Sequence, residues 1–441
     1  MSGLEIGVLG FVILLILLAV RIPIAVAMLT VGLVGYLIIA GPAALLSYLK
    51  GEMYWRFTTF DLSVVPLFVL MGQFAAKAGL SQALFKAANV WLGHYRGGIA
   101  MAAVGGCGGF GAISGSSLAT AATMGQVALP ELKRYNYAGS LATGALAAGG
   151  TLGILIPPSV VLIIYAIMVE ANIVTLFQAA FIPGILAALG YMATIAIVVR
   201  INPEAGPAGP KATRSEQFLA LLDIWPVIVI FLLVMGGIYL GFFTPTEGAG
   251  VGSVGTFLIA LSRGGMKFKD FIDALISTAT TTALIFLILL GAAVFNAFLG
   301  FSQLPLAAAT FFKESGLPPM SVLLMMVVLF IMLGFVMDSL SMILLTVPIF
   351  WPIIAVLDFG LAPEDLKLWF GIITLIVVEV GLITPPVGLN VFVINSMAKD
   401  VPMIETFKGV VPFFVSDGIR VAFIIFFPAI TLILPRLFGS E

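Results

Sequence analysis

Two stretches decide how this chain folds: Gly111-Ala112-Ile113-Ser114-Gly115-Ser116-Ser117 and Gly334-Phe335-Val336-Met337-Asp338-Ser339. Each is small, polar and glycine-broken, and each is followed by a helical segment interrupted by two prolines. The first partner is Gly153-Ile154-Leu155-Ile156-Pro157-Pro158 and the second is Gly381-Leu382-Ile383-Thr384-Pro385-Pro386. Ser117 and Ser339 are separated by the same offset as Pro130 and Pro352, so the pattern is an internal repeat. Paired breaks in corresponding halves of an apolar chain point to a transport site at mid-membrane.

The surroundings of these stretches set the solvent. The 441 residues are 61% hydrophobic and 9% charged, against about 25% charged in soluble domains. Apolar spans are predicted at 4–20, 22–40, 61–78, 138–168, 175–199, 218–241, 245–262, 271–299, 367–396 and 409–435. Lipid-exposed backbone must satisfy its own polar groups, so these spans are helices. The expected class is an all-α polytopic membrane protein. The first span, Leu4–Val20, lacks a charged leader and a cleavage pattern and reads as a retained helix. Residues 97–132 and 319–356 are each long enough for two half-crossings and are broken at the stretches quoted above, which predicts two re-entrant helical hairpins.

Charge gives the orientation. An outside N-terminus puts Arg21, Arg96, Lys133, Arg134, Lys211, Lys267, Lys399 and Lys408, among others, on the cytoplasmic side. It leaves Lys50, Arg56, Lys313, Lys367 and Arg436 outside. Both termini are then periplasmic. The two hairpins enter from opposite faces, making the halves inverted repeats joined by the Pro/Gly-rich stretch Asn202–Gln217, which reads as a flexible linker.

A reversal at membrane depth leaves helix ends with unpaired backbone groups. Ser116 or Ser117 can cap the returning helix Leu118–Leu132, and Asp338 or Ser339 can cap Leu340–Ile354. Amides at such an N-terminus favour an anion such as a carboxylate. The carbonyls ending the entering helix, around Ala112–Ser114 and Val336–Met337, favour a cation such as Na⁺. Pro157, Pro158, Pro385 and Pro386 free further carbonyls one turn upstream, beside the side-chain oxygens of Thr151, Thr384 and Asn390.

Other polar residues have plainer readings. The glycine run Gly105-Gly106-Cys107-Gly108-Gly109 suits close helix packing, and Cys107 is a small apolar residue within it. Asp338 is costly at mid-membrane and is a functional candidate. Glu379 suits either the site or a polar helix interface. Asp417 and Arg420 are spaced to pair with each other, and His94 reads as a solvated loop residue. Thr244-Pro245-Thr246-Glu247 has capping-box spacing, a structural start signal. No nucleophile–base–acid set, Cys/His metal spacing or P-loop is present, so an enzyme is not expected. Net charge of −1 without a basic run argues against nucleic acid.

Over almost its whole length the chain resembles the large membrane (permease) subunit of the TRAP, tripartite ATP-independent periplasmic, transporters of the ion-transporter superfamily. The resemblance rests on Pro66-Leu67-Phe68 with Met71-Gly72, on Gly111–Thr120, on Ile156-Pro157-Pro158-Ser159, on Thr244-Pro245-Thr246-Glu247-Gly248-Ala249 and on Thr384-Pro385-Pro386-Val387-Gly388. It implies a Na⁺-coupled elevator in a bacterial inner membrane, in which a body carrying both hairpins and both broken helices slides against a scaffold. It also implies a small four-helix membrane subunit, not fused to this chain, and a periplasmic substrate-binding protein. Carried over residue by residue, one Na⁺ would lie between Ser114, Gly115 and Ser116 of the first tip and Gly149, Thr151 and Pro157. A second would lie between Met337, Asp338 and Ser341 and Gly381 and Thr384. Substrate would contact Ser116, Ser117, Pro158, Pro386 and Asn390. Many members carry an acid near Thr120 or Ala121; this chain has none, which leaves Asp338 as the principal charged candidate.

The expected division is 1–60 scaffold helices, 61–168 first transport half (hairpin 97–132, broken helix 138–168), and 169–262 scaffold helices with linker 202–217. Residues 263–396 are the second transport half (hairpin 319–356, broken helix 367–396), and 397–441 the C-terminal helix. The expected function is Na⁺:organic-acid (carboxylate) symport. Two other readings stand beside it, a stand-alone Na⁺ or H⁺ dicarboxylate symporter and a non-transporting scaffold subunit.

Overall fold

The structure is a computed structural model that describes residues 1–264, 266–335 and 337–438, without the side chains of Met53, Trp55, Arg56 and Phe57. The Val336 carbonyl and the Arg56 charge invoked above lie outside the described residues, as does the end of the C-terminal segment beyond 438. Among the described residues there are helices and no strands. Six helices are long and apolar enough to cross a membrane, or up to 8 if each bent pair is one span.

A pair of helices joined by a short turn forms at each expected tip. The first is Gly98–Ser114 returning as Ser117–Arg134, and the second is Pro319–Gly334 returning as Ser339–Ala355. Gly115 turns the first tip at φ +61°, a left-handed conformation that glycine enters without a side-chain clash. Both proline pairs break their helices. Gly139–Leu155 meets Val160–Val169 at a 46° bend, and Pro363–Ile383 stops at Thr384 before Leu389–Met397 begins. Pro157-Pro158 and Pro385-Pro386 are cis.

Glycine spacing seats each hairpin on its broken helix. A Cβ added to Gly111 would lie 2.6 Å from Gly153 Cα, and one added to Gly334 would lie 2.6 Å from Gly381 Cα. The same backbone-on-backbone joint thus recurs in both halves, with no room for a side chain. Of the six membrane-length helices among the described residues, Pro363–Ile383 is the most enclosed, with 94% of its most apolar window buried.

The helices form two packing groups. Phe268–Ser302, placed by sequence in the second transport half, lies along Ile24–Thr58. Gly32 and Gly35 there accommodate Phe295 and Phe298, and Tyr48 donates to the Ala293 carbonyl at 3.1 Å. Ile173–Ile201, placed among the scaffold helices, packs instead on both broken helices and on Met403–Phe426.

Several expectations are corrected. Helix 22–40 continues to Thr58 across a break at Gly41, φ +82°. The stretch 202–217 is tied down: Gly97 N–H donates to Gly206 O (2.8 Å), Gly209 N–H to Gly93 O (2.8 Å) and Ala138 N–H to Ala205 O (2.9 Å). Helix Arg214–Asp223 begins inside it through a Thr213/Glu216 capping box. The span 409–435 is two helices, Met403–Phe426 and Ala429–Phe438, because Pro428 cannot continue the first. His94 is partly buried, its ring lies 3.9 Å from that of Tyr95 at a tilt of 38°, and its Nδ1 is enclosed, in a loop that residues 206 and 209 bind through Gly97 and Gly93. The helices Leu80–Leu92 and Leu304–Glu314 escaped the sequence reading because they are short and amphipathic.

Candidate functional site

The two tips, far apart in sequence, wall a single cavity of about 160 Å³. Ser114–Leu118 contribute one side and Asp338–Leu340 the other. Thr281 and Ile285 of helix Phe268–Ser302 close a third side, with Val69, Ile154, Val160 and Val161 completing the wall. A larger cavity of about 770 Å³, between residues 129–143 and 397–405, contains none of the tip residues.

At the first tip, Ser116 leaves the helix with extended backbone and its hydroxyl accepts from Ala119 N–H at 3.4 Å. Ser116 is therefore the cap and Ser117 the first helical residue. Ser114 and Thr120 share a hydroxyl–hydroxyl bond of 2.7 Å beneath the turn. The tip rests on the first break: a Cβ on Gly115 would lie 3.0 Å from the Pro158 carbonyl, and one on Gly153 would lie 2.6 Å from the Ser116 carbonyl. At the second tip Asp338 plays the part of Ser116, with Oδ2 accepting from Ser341 N–H at 3.3 Å and Oδ1 accepting from the Ser341 hydroxyl. Asp338 is half-buried and lines the cavity; Met337 is buried behind it.

Not every candidate points there. Thr151 Oγ1 lies 2.6 Å from Ala148 O and 3.0 Å from the Tyr191 hydroxyl, on the side of helix Ile173–Ile201, and its single proton serves one of the two at a time. Gly149 lies against Cys107, below the tip. Pro157 and Pro158 are buried under the first tip, whereas Pro386 is exposed at the second break. Thr384 donates back to Val380 O at 2.5 Å, beside the buried Gly381. Asn390 is fully buried and donates to Ala147 O at 3.3 Å, fastening the second broken helix to the first.

One residue that the sequence left undecided proves central. Glu379 is 1% exposed, and its Oε1 accepts from the Ser339 hydroxyl at 2.8 Å. Its Oε2 makes no hydrogen bond. Aligning the Pro-Pro pairs puts Thr151 opposite Glu379, so the halves differ chemically at this depth. Thr281 and Ile285 were missed because they belong to an ordinary apolar span. The expected Asp417–Arg420 pair is present at 2.7 Å and buried. Tyr191 donates to Asp417 Oδ2 at 2.8 Å, extending this network to Thr151.

Comparisons with known proteins agree with this architecture. The family model described as "Tripartite ATP-independent periplasmic transporter, DctM component" matches residues 11–430. The C4-dicarboxylate TRAP transporter large permease protein DctM of Pseudomonas aeruginosa is 35% identical over 87% of this chain and 88% of its own length. The sialic acid TRAP transporter large permease protein SiaM of Vibrio cholerae is 31% identical over 96% of each. Among solved structures, the YdaH transporter of Alcanivorax borkumensis superposes with a TM-score of 0.64 at 15% identity, covering 88% of this chain and 89% of that one, a likeness of fold. The chain therefore belongs to the TRAP transporter family as a DctM component, a multi-pass membrane transporter protein.

Proposed function

We propose that the protein is the large permease subunit of a binding-protein-dependent TRAP system that carries an organic acid together with Na⁺ across a bacterial inner membrane. The observation that carries this reading is the single cavity walled by both tips. Each tip ends one half-helix and starts another at the same place, so it offers carbonyl and hydroxyl oxygens to a cation and first-turn amides to a carboxylate. On this reading Na⁺ is held by the first tip against the first break (Ser114, Gly115 and Ser116 with Pro157) and by the second against its own (Met337, Asp338 and Ser341 with Gly381), while Gly149, Thr151 and Thr384, engaged elsewhere, stay outside the ion sites. The carboxylate meets Ser116 and Ser117 above Pro158, while Asn390 and Pro386, which do not line the cavity, stay apart from it. The names of relatives support an organic solute of this general kind: C4-dicarboxylate, sialic acid and, for TeaC of Halomonas elongata, ectoine.

Alternating access by an elevator accounts for the two packing groups. The tips and broken helices form one, Ile24–Thr58 with Phe268–Ser302 forms another, and the cavity lies where they meet. The orientation with both termini periplasmic rests on the distribution of Lys and Arg, and ion pairs between elements join residues assigned to the same face. Lys86–Asp223 and Lys133–Asp400 join residues assigned to the cytoplasmic side, and Arg436–Asp365 joins residues assigned to the other. The partners on this reading are a small four-helix membrane subunit and a periplasmic binding protein.

The deciding experiment is uptake of a labelled organic-acid panel into proteoliposomes containing the chain and its small subunit, with and without binding protein and an inward Na⁺ gradient. Uptake that needs both is expected. Uptake by the chain alone moves it to the stand-alone symporters, and indifference to Na⁺ removes the ion sites.

A further inference from the structure

One face of helix Phe268–Ser302 lines two cavities in succession. Thr281 and Ile285 close the cavity of the tips, and Ala292 and Asn296, each 11 positions later, line a second cavity of about 40 Å³. At about 3.6 residues and 5.4 Å per turn, that offset is three turns, so the second pair shares the face of the first and lies about 16 Å further along the axis. The same elements bound both cavities. Val160–Val169 gives Val160 and Val161 to the first and Ile164 and Ile167 to the second, while Ser339–Ala355 gives Leu340 and then Leu344. The second cavity has room for water-sized groups and none for an organic acid. Among the described residues Asn296 is the one polar side chain in its lining, and its Oδ1 is enclosed without a hydrogen bond. An unpaired amide oxygen is costly in an apolar seam, so this conformation leaves Asn296 short of a partner. The tips carry what an amide can bind. Ser117, Asp338 and Ser339 line the first cavity, and an amide accepts from a hydroxyl and donates to a hydroxyl or carboxyl oxygen.

We propose that Asn296 is a positioning residue for the transport cycle. When the tip group slides about three turns along Phe268–Ser302 toward the periplasmic face, the tips leave Thr281 and Ile285 for Ala292 and Asn296, and the Asn296 amide pairs with their polar groups. That pairing stabilises the second stop against the one seen here. This inference rests on the elevator reading proposed above, and the test separates the two.

The probe is mercuric ion, which bridges two thiols only where they meet, applied to the purified full-length chain in lipid nanodiscs. Leu118→Cys at the first tip is paired with Thr281→Cys to report the stop seen here, and with Ala292→Cys to report the other. Both pairs are expected to link. Adding Asn296→Leu, which removes a pairing made at one stop only, is expected to slow linking at Ala292 relative to linking at Thr281 at least about tenfold. The same variant should melt no lower than the wild type, because an apolar side chain of similar size replaces an enclosed oxygen without a partner. An unchanged ratio of the two rates, with or without a lower melting temperature, makes Asn296 a packing residue, which overturns its role and spares the elevator. Linking at Thr281 alone overturns both. If Asn296→Leu does not fold, Asn296→Ala decides by the same ratio.

Discussion

Asp338 performs two tasks that substitution can separate. Its carboxylate caps helix Ser339–Ala355 through Ser341, and its charge faces the cavity. Asparagine caps as well as aspartate, so Asp338→Asn is expected to keep the melting temperature while Na⁺-driven uptake falls at least about tenfold. Asp338→Ala should in addition lose about 1 kcal/mol of stability with the cap, measurable by thermal unfolding in nanodiscs. The Asp417–Arg420 pair has the opposite profile: buried and tied to Tyr191, it holds helices together. Arg420→Ala leaves Asp417 charged and enclosed and should cost about 3–5 kcal/mol, whereas Tyr191→Phe removes one donor and should cost about 1–3 kcal/mol. Of the residues named from the sequence, the tip serines and Asp338 were legible because polar groups stand out in an apolar run. Glu379 stood out equally, but its hydrogen bond to Ser339 of the second tip spans 40 positions, and no local pattern predicts that meeting.

At the scale of elements, the joints between hairpin and broken helix set the tip positions. Gly153 lies under the Ser116 carbonyl and the Thr120 hydroxyl, and Gly334 lies on the Gly381 backbone. A Gly381→Val variant should push the second hairpin outward at a cost of about 1–3 kcal/mol, typical of overpacking, and abolish uptake. A variant at Gly250, where an added Cβ meets nothing within 4 Å, should leave both melting and uptake unchanged. The hairpins and breaks could be read in advance because proline, glycine and capping residues act locally. The docking of residues 202–213 could not, since its hydrogen bonds go to Gly93, Gly97 and Ala138, partners separated from it by more than a hairpin of sequence.

For the whole molecule, the wall formed by Thr281 and Ile285 opposite the tips gives the elevator a direct test. Thr281→Cys with Leu340→Cys places one thiol on each packing group at the rim of the same cavity, while Cys107, fully buried, stays out of reach of polar reagents. A short bifunctional thiol reagent is expected to link the pair in this conformation and to stop uptake, with reduction or cleavage of the linker restoring it. Linking without inhibition would mean that the two groups do not move past one another during transport.

The sequence by itself determined the solvent, the all-helical class, both hairpins, both broken helices and the caps at the tips. Each follows from interactions within a few residues, or from the cost of leaving backbone unpaired in lipid. The tertiary structure alone decided which helices pair with one another, where Thr151 and Asn390 point, and that the Glu379 carboxyl meets Ser339 of the second tip. Those outcomes depend on contacts between residues tens to hundreds of positions apart, such as Asn390 with Ala147, which only the packed fold brings within hydrogen-bonding reach.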